Sequence, residues 1–260
     1  MMSGYANAAT NIGHRSYQED RYLAIKLAIS KEESGWLLAV MDGHSGSAEV
    51  AEFCEKNLTA YFGNLLDPVF EYTDANLERI LKNTILALHE ATKDMTSGST
   101  ISIVYVSETK TKAFVAILGD SPVIIKGNDG LWVSPEHNIR TNSKDRAVVL
   151  QRGAEYSGGY MCDPRTGSGL QLTRSLGDAE FSRFLIRGPE TFSVELDESS
   201  FIIIATDGLV DPGHSDQKAL NNLLEIIERG GTATDLINDA LKRRTGDNVT
   251  AVLWKQPKSQ

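Results

Sequence analysis

The chain has 260 residues, of which 41% are apolar, and a formal net charge of −9. This length and apolar share suit one globular domain with a sizeable core, and the negative charge argues against a general electrostatic grip on nucleic acid. No apolar run approaches the ~20 residues of a membrane-spanning helix, Met1–Thr10 lacks the basic start and apolar stretch of a signal peptide, and two cysteines, Cys54 and Cys162, are too few for a disulfide framework. A cytoplasmic monomer that binds neither membrane nor nucleic acid is the expectation.

In chain order, the first strand-like runs are Tyr22–Ile29 and Gly35–Met41. Two helical patterns follow. Ser47–Tyr61 carries Val50, Ala51, Cys54, Leu58 and Tyr61 on one stripe, and Asn76–Thr92 carries Leu77, Ile80, Leu81, Ile85 and Leu88, with Asp74 as its expected N-cap. Strands are expected again over Thr100–Val106, Ala113–Leu118 and Pro122–Ile125, with a turn at Asn128-Asp129-Gly130. Phe192–Glu195 and Phe201–Ala205 come next, then a helix over Asp216–Arg229 stopped by Gly230-Gly231. A short helix over Asp235–Lys242 and a strand over Val249–Trp254 complete the series. No repeat or linker interrupts it, so residues 1–260 read as one domain. Strands outnumber crossover helices and consecutive strands read as hairpins. The pattern therefore predicts an α+β fold of largely antiparallel sheets with helices packed outside, not a doubly wound parallel sheet.

The aspartates fall at the ends of strands apolar on both faces. Trp36–Met41 runs into Asp42-Gly43-His44, Phe114–Gly119 into Asp120-Ser121, and Phe201–Thr206 into Asp207-Gly208, with Asp211 four residues on. Gly246-Asp247-Asn248 leads into Val249–Trp254. Asp-Gly alone is a good hairpin turn. A hairpin, however, needs a second strand straight after it, and helical sequence follows Asp42-Gly43 and Asp207-Gly208. Carboxylates gathered at buried strand ends repel one another unless a cation sits among them. Hard oxygen donors with little histidine and no cysteine suit Mg²⁺ or Mn²⁺ rather than Zn²⁺. A pair of such ions can ionise water and neutralise a phosphoryl group. Gly43, with no Cβ, lets its carbonyl approach an ion closely.

Upstream, Arg15 lies four and five residues before Glu19 and Asp20. A solvated polar loop is the plain reading. The functional one gives Arg15 a phosphate contact and puts the two acids near the metals, through water. His44, beside Asp42, is placed to protonate a leaving alcohol. Ser99-Thr100 reads as a strand start, and Asp178, at the end of Leu172–Asp178, as structural.

These pieces resemble the metal-dependent protein serine/threonine phosphatases of the type 2C family. The likeness runs nearly the whole length, in order. It passes through Arg15–Asp20, Val40–Gly46, Gly98-Ser99-Thr100, Gly119-Asp120-Ser121, Leu172–Asp178, Ala205–Asp211 and Gly246–Thr250. It implies two packed, mostly antiparallel β-sheets flanked by helices on both outer faces (αββα), with two Mn²⁺ or Mg²⁺ ions at one end. By residue, the resemblance makes Asp42 the bridging ligand and gives Gly43 a carbonyl contact to one ion. Asp207 and Asp247 complete the other, and Glu19, Asp20 and Asp211 act through water. Asp120, with Asp207, matches the pair that holds a third, weaker ion. Arg15 matches the phosphate-binding arginine and His44 the general acid. The implied reaction is attack of metal-activated water on phosphoserine or phosphothreonine in phosphoproteins, opposing a serine/threonine kinase.

Two positions depart from the family pattern. Ser45 stands where a second glycine is usual, and Pro122 where an arginine commonly follows Gly-Asp-Ser. Residues 137–171, polar and glycine-bearing, fall at the family's variable flap and read as a mobile loop that tunes substrate choice. The rival readings are a pseudophosphatase acting as a binding module, and another two-metal phosphohydrolase or nuclease. Retention of Asp42, Asp207 and Asp247 disfavours the first, and the net charge disfavours a nuclease.

Overall fold

A computed structural model describes residues 4–66, 72–210 and 216–256. Its elements in chain order begin with β1 (Tyr5–Asn11), β2 (Arg21–Ala28), β3 (Ser34–Met41), β4 (Gly43–His44), α1 (Glu49–Gly63) and α2 (Asp74–Thr92). Next come β5 (Gly98–Ser99), β6 (Ile101–Ser107), β7 (Lys112–Leu118), β8 (Val123–Gly127), β9 (Gly130–Val133) and α3 (Ser143–Gln151). The short strands β10 (Glu155–Ser157), β11 (Tyr160–Cys162), β12 (Gly169–Leu170) and β13 (Leu176–Gly177) follow. The last are β14 (Glu190–Glu195), β15 (Phe201–Ala205), α4 (Gln217–Glu228), α5 (Ala233–Lys242) and β16 (Val249–Lys255).

Two five-stranded sheets, ordered β1-β16-β15-β8-β9 and β14-β7-β6-β3-β2, form the centre. Every pairing in them is antiparallel. Their strands are apolar on both faces because each face has its own core. In β3, Leu38 and Val40 pack between the sheets, while Leu37, Ala39 and Met41 meet α1 and α2. In β15, Ile202 and Ile204 point inward, while Phe201, Ile203 and Ala205 meet α4 and α5. The period-2 alternation of a strand produces this split. Each fully buried aliphatic or Phe side chain contributes about 1.5–3 kcal/mol, so three stacked apolar layers hold the four-layer αββα arrangement expected from the sequence. Among the described residues no helix is long and apolar enough to cross a membrane.

Antiparallel order decides where the functional residues meet. Asn11 at the end of β1 pairs with Val249 at the start of β16, and Ala205 at the end of β15 with Ala251. In the other sheet, Arg21 at the start of β2 pairs with Met41 at the end of β3. Leu118 at the end of β7 likewise faces Ile101 at the start of β6. The segments carrying Glu19-Asp20, Asp42, Asp120, Asp207 and Asp247 all leave the sheets at one end.

Three local expectations are corrected. The N-cap of α2 is Thr73, whose side chain accepts from Asn76 N, and Asp74 is the first helical residue. The polar Met1–Thr10 stretch contains most of β1, outside any expected strand. Residues 137–171 are built rather than looped. α3 and the β10-β11-β12 sheet enclose a small core of their own, with Ile139, Val149 and Met161 packed on Phe181, Phe184 and Leu185.

Candidate metal centre and active site

A cavity of about 330 Å³ opens at the end where the acidic segments converge. Arg15, Glu19, Asp42, Gly43, His44, Asp120, Asp207 and Asp247 line it, with the flap residues Tyr160 and Gly169–Leu172 on its rim. Asp20 is buried beneath, 3% exposed. Asp211 lies outside the described residues.

The backbone is braced residue by residue. Asp42 N donates to Thr100 Oγ1 at 3.0 Å, and Thr100 N donates back to the Asp42 carbonyl at 2.9 Å. Thr100 Oγ1 lies 2.6 Å from Ser121 Oγ, which ties β3 to the Gly119-Asp120-Ser121 turn. Ser99-Thr100, read from the sequence as only a strand start, is thus the support of Asp42. Asn248 clamps the Arg15–Glu19 loop. Its amide donates to Ile12 O and Tyr17 O, and its Oδ1 accepts from Glu19 N at 2.9 Å. A Cβ on Gly43 would sit 2.6 Å from Glu19 O, so only glycine allows that close approach.

The side chains divide by partner. Asp20 Oδ2 accepts from Thr206 Oγ1 at 2.9 Å and Asp120 Oδ2 from Asn138 Nδ2 at 2.9 Å. Asp20 Oδ1 and Glu19 Oε1 are buried and have no hydrogen-bond partner among the described residues. Loss of water holds Asp42 well above the ordinary aspartate range, and Asp20, Asp207, Asp247 and Asp120 push it further. Burial lifts Asp20 to about 7, against the hydroxyls of Thr250 and Thr206, with Asp247 and Glu19 adding to the rise. Burial also raises Glu19, although His44 and Arg15 pull it back. Among the described residues no three His, Cys, Asp or Glu side chains converge on one point. The acids surround a cavity instead of closing on a single centre. Arg15, exposed at the mouth, rests its Nη2 on Asp247 Oδ2 at 2.6 Å and its Nε on Gly246 O at 3.2 Å.

His44 is held from behind. Its Nε2 lies 2.7 Å from Asp178 Oδ2, which also accepts from Ser175 Oγ at 2.6 Å. Burial opposes a charge on this imidazole, but Asp178, with Asp120 and the Asp42 carbonyl, outweighs it and raises the ring above the ordinary histidine value. Asp178, read from the sequence as structural, therefore belongs to the site. Its one sequence signal was an apolar run ending in aspartate, as at Asp42 and Asp207. Among the described residues there is no thiol placed for attack. Cys54 is buried in α1 with its thiol pushed up to about 12, and Cys162 is in the flap strand β11.

The donor set fits hard divalent cations. It offers carboxylate oxygens around a cavity that Gly43 also lines, two buried acid oxygens lack a hydrogen-bond partner among the described residues, and the acids repel one another. A family model described as protein phosphatase 2C matches residues 7–249. A probable protein phosphatase 2C of Oryza sativa subsp. japonica is 30% identical over 257 residues, covering 96% of this chain and 86% of its own. A solved C. elegans sex-determining protein superposes with a TM-score of 0.78 at 23% identity, over 96% of this chain and 64% of that one. The catalytic domain of the serine/threonine phosphatase PstP, solved with two manganese ions, has a TM-score of 0.63 at 19% identity over 98% of this chain and 99% of that one. The two structures bear on the fold. The chain belongs to the protein phosphatase 2C family, the metal-dependent protein serine/threonine phosphatases.

Proposed function

We propose that this chain hydrolyses phosphoserine and phosphothreonine in phosphoproteins at a binuclear Mn²⁺ or Mg²⁺ centre, in opposition to a serine/threonine kinase. Asp42, Gly43, Asp207 and Asp247 would hold the ions, and Glu19, Asp20 and Asp211 would act through water. Asp120, with Asp207, is available to a third, weaker ion. The observation that carries the reading is the pair of buried acid oxygens, Glu19 Oε1 and Asp20 Oδ1, without a hydrogen-bond partner among the described residues, beside the strongly repelled Asp42. When bound, the cations supply ionised water at neutral pH and offset phosphoryl charge.

The chain's own groups do the rest. Arg15, at the mouth, takes a phosphoryl oxygen by sharing or exchanging its hold on Asp247. Thr100 and Ser121 fix the backbone of Asp42, which keeps its carboxylate aimed as charge shifts. His44 gives a proton to the departing alcohol oxygen. Tyr17 and Tyr160, 50% and 43% exposed on the two sides of the cavity, offer rings to the peptide around the phosphoresidue. That rim favours a protein substrate over a small phosphate ester.

The test is phosphate release from phosphopeptides with Mn²⁺ or Mg²⁺, with chelator, and in Asp207→Asn, alongside calorimetric titration of Mn²⁺. Metal-dependent release that is lost in the variant is expected. Full activity in chelator would refute the mechanism, and tight Mn²⁺ binding without turnover would make the protein a pseudophosphatase.

A further inference from the structure

His44 and Asp178 lie 134 positions apart in sequence, yet the fold spends several devices on joining them. The strands β4, β5 and β13 form a three-stranded sheet of two-residue strands, in which His44 pairs with Gly98 and Gly98 with Gly177. So short a sheet adds little hydrogen bonding of its own. What it does is set His44 and Gly177 on either side of Gly98, which leaves Asp178, one residue on, beside the imidazole. Asp178 N donates to Ser97 O at 2.9 Å, and Asp178 itself adopts a left-handed φ of 49°, a conformation that costs a non-glycine residue energy. Its carboxylate is 2% exposed and takes both the Ser175 hydroxyl and His44 Nε2 on the same oxygen, Oδ2. Gly98 makes the pair possible, because a Cβ there would lie 2.2 Å from Asp178 Oδ2 and 2.2 Å from His44 Nε2. Backbone strain at one residue, a missing side chain at another and a hydroxyl from a third all serve one contact behind the imidazole.

We infer that Asp178 is a positioning residue for catalysis: it grips His44 through Nε2 and so holds the ring at the cavity, where Nδ1, which the Asp42 carbonyl also approaches, turns its proton to the leaving oxygen of a phosphoserine or phosphothreonine substrate. The inference rests on the reading of His44 as general acid. As the oxygen of an attacking water bonds to phosphorus and the bond between phosphorus and the alcohol oxygen breaks, the alcohol oxygen keeps the bonding pair and takes the Nδ1 proton, which the proton released by the water replaces. The ring keeps its Nε2 proton on Asp178, and the products are the free hydroxyl and inorganic phosphate. A leaving group that departs as a stable anion needs no such proton. The inference therefore separates substrates by chemistry, which a purely structural role for Asp178 would not do.

The experiment compares a phosphothreonine peptide with p-nitrophenyl phosphate at saturating Mn²⁺, in Asp178→Asn, His44→Asn and the double variant. Misplacing the acid should lower kcat on the peptide by about 10–100-fold with little change in KM, and on p-nitrophenyl phosphate by no more than about threefold. The double variant should be no worse than His44→Asn alone. Ser175→Ala, which removes a single hydrogen bond to Asp178, should show the same substrate pattern in weaker form and guards against a folding defect in Asp178→Asn. In the chelated protein, ¹⁵N resonances of the His44 ring should shift in Asp178→Asn toward a mixed tautomer. Equal losses on both substrates, or an additive double variant, would overturn the positioning role while leaving His44 as the acid. A flat substrate pattern in His44→Asn would overturn the general-acid reading and this inference with it.

Discussion

Two clusters of acidic side chains in this molecule have opposite fates. Beside the flap, Arg174 forms a bidentate pair with Asp145, with both nitrogen–oxygen distances at 2.7–2.8 Å, and reaches Glu190 at 2.7 Å. Thr173 adds its hydroxyl to the same Asp145 carboxylate. There the contact of His137, together with Arg174, pulls Glu190 down to about 2. At the cavity, burial and like charge lift Asp20 to about 7, and buried oxygens of Glu19 and Asp20 find no partner among the described residues. One cluster meets a buried protein cation, Arg174. In the other, Arg15 reaches Asp247 from the exposed mouth while the acids beneath repel one another. Two unit charges about 4 Å apart at an effective dielectric of 20 interact by about 4 kcal/mol, and a typical domain is stable by only ~5–15 kcal/mol. Mutually repelling buried acids in such a cluster are therefore a cost that function has to justify.

The contrast is broken most severely at the cavity. Asp42→Asn should lower Mn²⁺-dependent phosphatase activity by at least about 10³-fold, since a displaced ion forfeits several kcal/mol of transition-state stabilisation. The same change should raise the melting temperature of the chelated protein, because it removes the most strongly repelled carboxylate. A drop in melting temperature would mean that the cavity acids are not in conflict. At the flap the sign reverses. Arg174→Leu strands Asp145 in a buried site and should cost about 3–5 kcal/mol, read as a lower melting temperature and faster proteolysis near α3. An unchanged midpoint would make that clamp dispensable.

Titration sharpens the same comparison. Asp20 binds its proton more tightly folded than unfolded, so between the ordinary aspartate value and about 7 the folded state holds the extra proton. Its contribution to stability therefore falls as pH rises through that window. Glu190 is depressed, so its contribution is present above the ordinary glutamate value and is lost as pH falls toward about 2. Thermal melts of the chelated protein from pH 4 to 8 should weaken on the alkaline side, and added Mn²⁺ should abolish that trend. Persistence of the trend with saturating Mn²⁺ would separate it from the cavity acids. The smallest effect is expected at Ser45, held at φ 69° where the family usually has glycine. Ser45→Gly should relieve about 1 kcal/mol of backbone cost, and a destabilised variant would show that the serine side chain repays it.

The two clusters were unequally legible in sequence. Strand ends carrying Asp42, Asp207 and Asp247 stood out because both-face apolar runs leave little else to explain a terminal carboxylate. The excess of hairpin-like strands over helices pointed to antiparallel sheets, and the two-sheet sandwich followed only from the family resemblance. β1 stayed hidden because Ala6, Ala8 and Ala9, its core-facing residues, are too small to mark an apolar alternation. α3 was missed because it buries only Asp145 and Val149, so it carries no apolar stripe, and its Asn142 cap was the sole local sign. The Arg174 clamp and the Asp178–His44 pair join residues 29 and 134 positions apart. Local patterning carries no information about such contacts.

The pairing of β1 with β16 has a consequence for synthesis. Tyr5 faces Lys255 and Asn11 faces Val249, so β1 has to wait for β16, made more than 200 residues later. Arg15 and Asn248 lock the two ends together around Asp247. A chain still emerging from the ribosome lacks both the neighbour of β1 and one of the acids of the cavity. Such long-range closure is slow to form, and the cavity stays incomplete until β16 has been made.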